Sequence, residues 1–332
     1  MTRRVLRISA LIIAFALAAA ACGGSDSKSV TLYSGRGKNL IGPLLEQFEE
    51  ETGYDVKVRY SDAASLALTI QEEEAAGQGR ADVFLSNSPG PVGFLSERGL
   101  LAKLPPEIQT SGLTNEQQTW VAITGRQRVV VYNTENIDPS TIPESIYGLT
   151  DEEWNGRVAI APANGSFQDF FTLMRLSDGD ANATKWLSDL AEGGAPEYPN
   201  NSSIVQAVAR GEVDLGLVNH YYAYRLLAES PNLAIANYVF PEDDAGSVII
   251  VTALSQTKSG DSEAAKALIE FMLSPPAQKY FADETFEYPL GADVQANSQI
   301  PPLDGTNVGN FDVLGGELTE TLDLIREAGF DV

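Results

Sequence analysis

The sequence predicts an α/β protein of two halves joined by crossing strands, with a ligand cleft between the halves. Three observations predict it: strands alternate with helices from residue 30 onward, the alternation restarts past Trp120, and a strong late strand returns near residue 250. At ~100–200 residues per domain, a 332-residue chain that is 43% hydrophobic has room for two cores.

Val30 to Ser34 (VTLYS) is β-branched and aromatic and stops at Gly35, which reads as a strand entering a loop. Leu40, Ile41, Leu44, Leu45 and Phe48 recur at helical spacing up to Glu51, with Gly53 as the stop. Tyr54 to Tyr60 alternates as a strand, Ala63 to Ala76 is helical, and Ala81 to Leu85 is a third, buried strand. In the second half Arg128 to Tyr132, Val158 to Ala161 and Val213 to Val218 read as strands. Gln168 to Leu176, Ala183 to Ala191 and Ser203 to Arg210 read as helices between them. Gly246 to Ala253 is the late strand, and helices over Ser262 to Leu273 and Pro276 to Phe281 follow it. Ligands in α/β sheets collect beyond strand ends and at domain interfaces, so the cleft is the default site.

The N-terminus carries Arg3, Arg4 and Arg7 and then an apolar run from Ile8 to Ala21, the pattern of an export signal. The run falls short of the ~20 residues a membrane-spanning helix needs. Cys22, the only cysteine, follows three alanines and precedes a Gly- and Ser-rich tether, a layout that resembles a bacterial lipobox. That resemblance implies a signal over 1–21, a lipid on the Cys22 thiol, a tether over 22–29, and anchorage at the outer face of the cell membrane. An ordinary cleaved signal with an incidental cysteine is the alternative. The formal charge is −24, from 22 basic and 46 acidic residues, which excludes a nucleic-acid partner because phosphate would be repelled. Loss of the three leader arginines would leave 19 basic against 46 acidic residues, or −27.

Several segments then resemble the ferric-ion-binding protein family, extracytoplasmic iron carriers of ABC importers. They are VTLYSGR at 30–36, ADVFLS at 81–86, TGRQRVVVYN at 124–133, GRVAIAPANGSFQDF at 156–170, NNSSIVQAV at 200–208, LVNHYYAYRL at 217–226 and EYPL at 287–290. The resemblance implies a type II periplasmic-binding-protein-like fold, with one lobe from 30–125 and 251–301 and the other from 126–250 and 302–332. It implies a monomer that hands its solute to a membrane permease.

Within it, Tyr221 and Tyr222 are implied as ligands of ferric iron. A small, hard, highly charged cation prefers anionic oxygen, and a phenolate supplies it once its proton is expelled. Adjacent side chains point apart in a strand, so the pair is expected at a strand-to-helix turn. The resemblance further implies a synergistic anion, carbonate or phosphate, cradled by Asn164, Gly165, Ser166, Asn201, Asn219 and Arg126. Gly-containing turns before helices aim N–H groups at anions, and arginine clasps them as a fork.

Three positions depart from the family pattern: Gly37 stands where some relatives have histidine, Asn87 where some have glutamate, and Phe167 where some have a third tyrosine. These three, with Arg36, are cleft candidates. The alternative is a receptor for an anionic organic solute such as a phosphonate, bound by Arg36, Arg126 and the asparagines without iron. His220, the sole histidine, reads better as a hydrogen-bonded structural group than as a ligand. No phosphate loop, nucleophile elbow or Cys-His pair is present, so an enzyme is not expected.

Overall fold

The computed structural model describes residues 28–109, 113–303 and 314–332. The expected signal, Cys22 and the tether up to residue 27 lie outside the described residues.

Strand β1 (Ser29–Ser34) opens the fold between parallel neighbours β2 (Asp55–Tyr60) and β3 (Val83–Ser86). Helix α1 (Lys38–Thr52) links β1 to β2, and α2 (Ala63–Ala75) links β2 to β3. Gly53 ends α1 at φ 75°, a left-handed conformation that glycine adopts without a Cβ penalty. Helix α3 (Pro89–Glu97) follows, opened by Pro-Gly-Pro. Proline at the first helical position loses no bond, so the helix starts there. A single-turn helix, α4 (Pro106–Gln109), comes next.

Strand β4 (Trp120–Asn133) is the spine of the molecule. The expected strand over 128–132 is only its second part, because Thr124, Gly125, Arg126 and Arg128 break the apolar pattern that would have revealed its length. Its first part pairs with β8 (Ile249–Gln256), which pairs on to β3, giving the order β2-β1-β3-β8-β4. Its second part pairs with β6 (Leu215–Asn219) and β7 (Ile235–Tyr238), and β6 carries the short β5 (Val158–Ala159). One continuous strand therefore runs through both halves of the sheet, and the expected boundary at 125/126 falls inside it.

Helices α5 (Gly165–Asp178), α6 (Asp180–Glu192), α7 (Asn201–Ala209) and α8 (Tyr221–Glu229) cover the second half. Helices α9 (Ser262–Leu273) and α10 (Pro275–Glu284) return to the first, and β9 (Tyr288–Pro289) pairs with β4 at Thr124 and Gly125. The last helix, α11 (Leu314–Glu327), packs against both α3 and α5, so the C-terminal segment touches both halves.

The apolar cores follow this division. Val30, Leu32, Phe48, Leu268 and Phe281 fill the first half beneath α1, α9 and α10. Val131, Ala159, Ile204 and Val218 pack beneath α7. A larger cluster runs from Leu66 and Phe84 through Leu95 to Phe170 and Trp186, so apolar contact is continuous across the β4–β8 crossing. Each fully buried large aliphatic or Phe side chain contributes roughly 1.5–3 kcal/mol.

Candidate functional site

Strand β6 ends at Asn219, His220 already has helical angles (φ −50°, ψ −41°), and α8 begins at Tyr221. The two tyrosines thus occupy the strand-to-helix turn that their spacing predicts. Their rings stack at a centroid distance of 4.1 Å and an interplanar angle of 27°, which brings both phenols to one place. They stand on the first turn of α8, where unpaired backbone N–H groups and the helix dipole favour negative charge. Tyr221 is 2% exposed, whereas Tyr222 is half-buried and lines an open cavity.

Three buried arginines lie beside the pair. Arg36, from the loop after β1, donates from Nη1 to Glu287 Oε1 at 2.5 Å and to Thr252 Oγ1 at 3.2 Å. Arg126, on β4, donates from Nη2 to the carbonyls of Asn87 and Val251, with Nε 3.7 Å from Glu287 Oε1. Arg128, on the same face of β4 two residues on, donates from Nη1 to Asn219 Oδ1 at 3.1 Å. Four arginine nitrogens, Nη2 of Arg36, Nε of Arg126, and Nε and Nη2 of Arg128, are buried without a hydrogen-bond acceptor. An unmet buried guanidinium N–H costs free energy that an anionic oxygen recovers.

The charges act on one another. Burial opposes the Arg36 charge, but Glu287 and the two phenols outweigh it and hold its pKa above the usual value. Burial pulls the Arg128 pKa down to about 9, with Tyr222 resisting and Arg126 assisting. The Glu287 carboxyl is buried, yet Arg36 first and Arg126 after it keep it below the usual carboxylate range. Burial pushes the Tyr221 hydroxyl well above 10, Tyr222 adds to this, and Arg36 and Arg126 oppose it. Among these groups the cations Arg36, Arg126 and Arg128 outnumber the one firmly ionised acid, Glu287.

His220 is locked from both sides. Its Nδ1 accepts from the Gln127 N–H at 3.1 Å, so its Nε2 carries the proton and donates to the Phe286 carbonyl at 2.7 Å. Burial lowers its pKa to about 4, so the ring is neutral at pH 7. Its T-shaped contact with Tyr221, at 6.1 Å between centroids, supports the first tyrosine from behind.

The turn before α5 forms a second cluster. Asn164 caps the helix by accepting from the Ser166 N–H at 3.1 Å and its Oγ at 2.6 Å. Asn201, at the start of α7, donates to Asn164 Oδ1 and to Ser166 Oγ, both at 3.4 Å. Gly165 is half-buried, and a Cβ there would meet only Ser88 Oγ at 3.9 Å. Among the described residues no hydrogen bond joins this cluster to Arg126; Asn219 belongs instead with Arg128. Gly37 is exposed, and the Asn39 side chain folds so closely over it that a Cβ would meet Asn39 Oδ1 at 2.8 Å. Asn87 is half-buried beside Arg126, and Phe167 is 1% exposed in the apolar core, edge-on to Phe170.

Sequence reasoning missed Arg128, Glu287 and Asp169. The alternation of Arg126 and Arg128 in an otherwise apolar strand was a usable signal, since it puts two charges on one face. Asp169, on α5, reaches Ser88 and the Gly90 N–H at the start of α3, and burial pushes its carboxyl up to about 7. Among the described residues no group of three or more His, Cys, Asp and Glu is arranged to hold a metal, and no helix is long and apolar enough to cross a membrane.

The chain matches the family of bacterial extracellular solute-binding proteins over residues 80–314. It is 31% identical over 300 residues to the major ferric iron-binding protein of Neisseria meningitidis, covering 88% of this chain and 89% of that one. It is 26% identical to the Fe(3+)-binding periplasmic protein of Serratia marcescens, covering 98% of this chain and 96% of that one. The structure superposes on iron-bound HitA from Pseudomonas aeruginosa with a TM-score of 0.85 at 32% identity, over 91% of this chain and all of that one. Apo ferric ion-binding protein A of Pasteurella haemolytica, at 20% identity, shares the fold with a TM-score of 0.82 over 92% of this chain and 99% of that one. With its sheet halves joined through β4 and β8 and a tyrosine pair at the first turn of α8, the chain belongs to the bacterial extracellular solute-binding proteins, in the ferric-ion-binding protein family.

Proposed function

We propose that this protein captures ferric iron between its two lobes through Tyr221 and Tyr222, together with a synergistic anion, and delivers it to an ABC permease. The observation that carries the reading is the stacked phenol pair on a helix N-terminus beside buried arginine nitrogens that lack acceptors. Two phenolates would neutralise most of a trivalent ion's charge, and the surplus of arginine over carboxylate would favour an added anion. Arg126 and the turn of Asn164, Gly165, Ser166 and Asn201 would hold carbonate or phosphate, while Asn219 would fix Arg128. The lobes are taken as 30–125 with 251–301 and 126–250 with 302–332, and closure around the solute would create the form that the permease recognises. Attachment through Cys22 would keep the carrier near that permease as a monomer. Binding and closure need no chemical step, so the reading is of a carrier rather than an enzyme.

The test is a visible spectrum of the mature chain with ferric citrate and bicarbonate. A phenolate-to-iron charge-transfer band with a thermal shift supports the reading. A thermal shift with phosphonates and none with iron favours the anionic-solute alternative.

A further inference from the structure

Asp169 crosses between the two halves of the protein. It stands one turn into α5, in the second half, and its carboxyl ends at the start of α3, in the first half, where it accepts from Ser88 and from the Gly90 N–H. The residue is 3% exposed, and Oδ2 is buried without a hydrogen-bond partner. A carboxylate at a helix N-terminus is favoured by the helix dipole and by N–H groups that have no partner within the helix. A buried carboxylate oxygen with no donor is disfavoured. The same contact therefore ties the halves together and limits how firmly it ties them.

Gly90 makes the approach possible. A Cβ there would stand 2.9 Å from Asp169 Oδ1, closer than side chains pack, and 3.9 Å from the Leu314 carbonyl. Thr172 and Arg175 continue the polar face of α5 at spacings of three, and both are buried. Thr172 Oγ1 meets Thr321 Oγ1 at 2.6 Å, and Arg175 reaches Thr321 Oγ1 at 3.0 Å, Glu320 at 3.2 Å and Glu317 at 3.4 Å. These contacts fasten α11 to α5, whereas Asp169 is the member of the face that reaches α3. Of the charges on the neighbouring elements, Arg126 on β4 acts on Asp169, though less than burial does. Arg175, Glu317 and Glu320 are engaged with one another, and Glu97 stands at the far end of α3.

We propose that Asp169 is a latch between the lobes whose buried charge limits how long the closed form lasts, so that it sets the rate at which iron is released. The inference rests on the ferric reading and on the lobe closure given above. It makes Asp169 and Gly90 positioning residues, which act on the lobes rather than on the ion. Removing the charge while keeping the acceptor prolongs closure, and filling the space at Gly90 shortens it.

The mature chain is loaded with ferric iron and bicarbonate, and loss of the charge-transfer band into excess chelator is followed at pH 8, where the Asp169 carboxyl is ionised. In Asp169→Asn the amide oxygen still accepts from the Gly90 N–H and the charge is gone, so release is expected about fivefold slower. In Gly90→Ala the methyl displaces the carboxyl, so release is expected about tenfold faster, as for loss of a helix cap, although alanine is the better helix former. Asp189→Asn, which removes a charge paired with Lys185 on α6, leaves release unchanged. The band position and the association rate stay the same in every variant, because the contact forms only as the lobes close. Unchanged release in Asp169→Asn and Gly90→Ala, or faster release in both, overturns the latch, as does an effect confined to the association rate. Absence of the band in the unsubstituted protein instead overturns the ferric reading, and the latch on iron release falls with it.

Discussion

Arg36 Nη1 and Glu287 Oε1 meet at 2.5 Å, although 251 residues separate them in the chain. The bond ties the loop after the first strand to the segment that returns late to the sheet. Glu287 also accepts from Thr285 Oγ1 at 2.9 Å and from Thr124 Oγ1 at 3.3 Å, so one carboxylate organises three separate segments. Breaking a buried pair by removing one partner leaves an uncompensated charge and costs about 3–5 kcal/mol. Glu287→Gln is therefore expected to lower unfolding free energy by about that much in urea titrations. The double variant Arg36→Met with Glu287→Leu is expected to recover part of the loss, since apolar replacements of buried pairs are often neutral or better.

Asp169 predicts an unusual pH dependence of stability. Its carboxyl titrates at about 7 in the folded protein because of burial, against 3.8 as its ordinary value. The folded state thus binds this proton more tightly than the unfolded chain does, and stability falls as pH rises from about 4 through 7. Carboxyls held low by partners, Glu287 among them, act in the opposite sense at more acidic pH. In Asp169→Asn the difference in unfolding free energy between pH 5 and pH 8 is expected to shrink. An unchanged pH profile would mean that Asp169 is ionised throughout.

Iron affinity is expected to rise with pH. Burial, with Tyr222 assisting, holds the Tyr221 hydroxyl protonated in the free protein, so binding must expel its proton. Each phenol proton released raises affinity about tenfold per pH unit. Competition titrations between pH 6 and 8, corrected for the chelator's own protonation, are expected to give a slope between one and two.

Much of the fold was legible in the sequence because most of its strands are apolar or alternating runs and most of its helices carry apolar faces. The helix from Ser262 to Leu273 was read to the residue. The site was legible only in part. Tyr221-Tyr222 after VDLGLV marks a turn, and short polar turns such as Asn164-Gly165-Ser166 mark a helix start. The buried charge network could not be read the same way, because Arg36, Arg126, Arg128 and Glu287 converge through strand register rather than chain proximity. Nor could the full length of β4, since the charges that build the site interrupt its apolar pattern.

Arg128→Met tests whether the arginines serve binding as well as folding. The substitution removes the bond to Asn219 and two nitrogens that lack acceptors. Groups that support metal ligands from behind typically contribute 10–100-fold in affinity, so a loss of about that size in ferric affinity is expected, with the charge-transfer band retained.

The most direct measurement is the visible difference spectrum on adding ferric iron with bicarbonate to the mature protein, to Tyr221→Phe and to Tyr222→Phe. The account predicts a phenolate-to-iron band in the unsubstituted protein that is lost or sharply reduced in each variant. A band of undiminished strength in both variants, or tight ferric binding with no band at all, would contradict it.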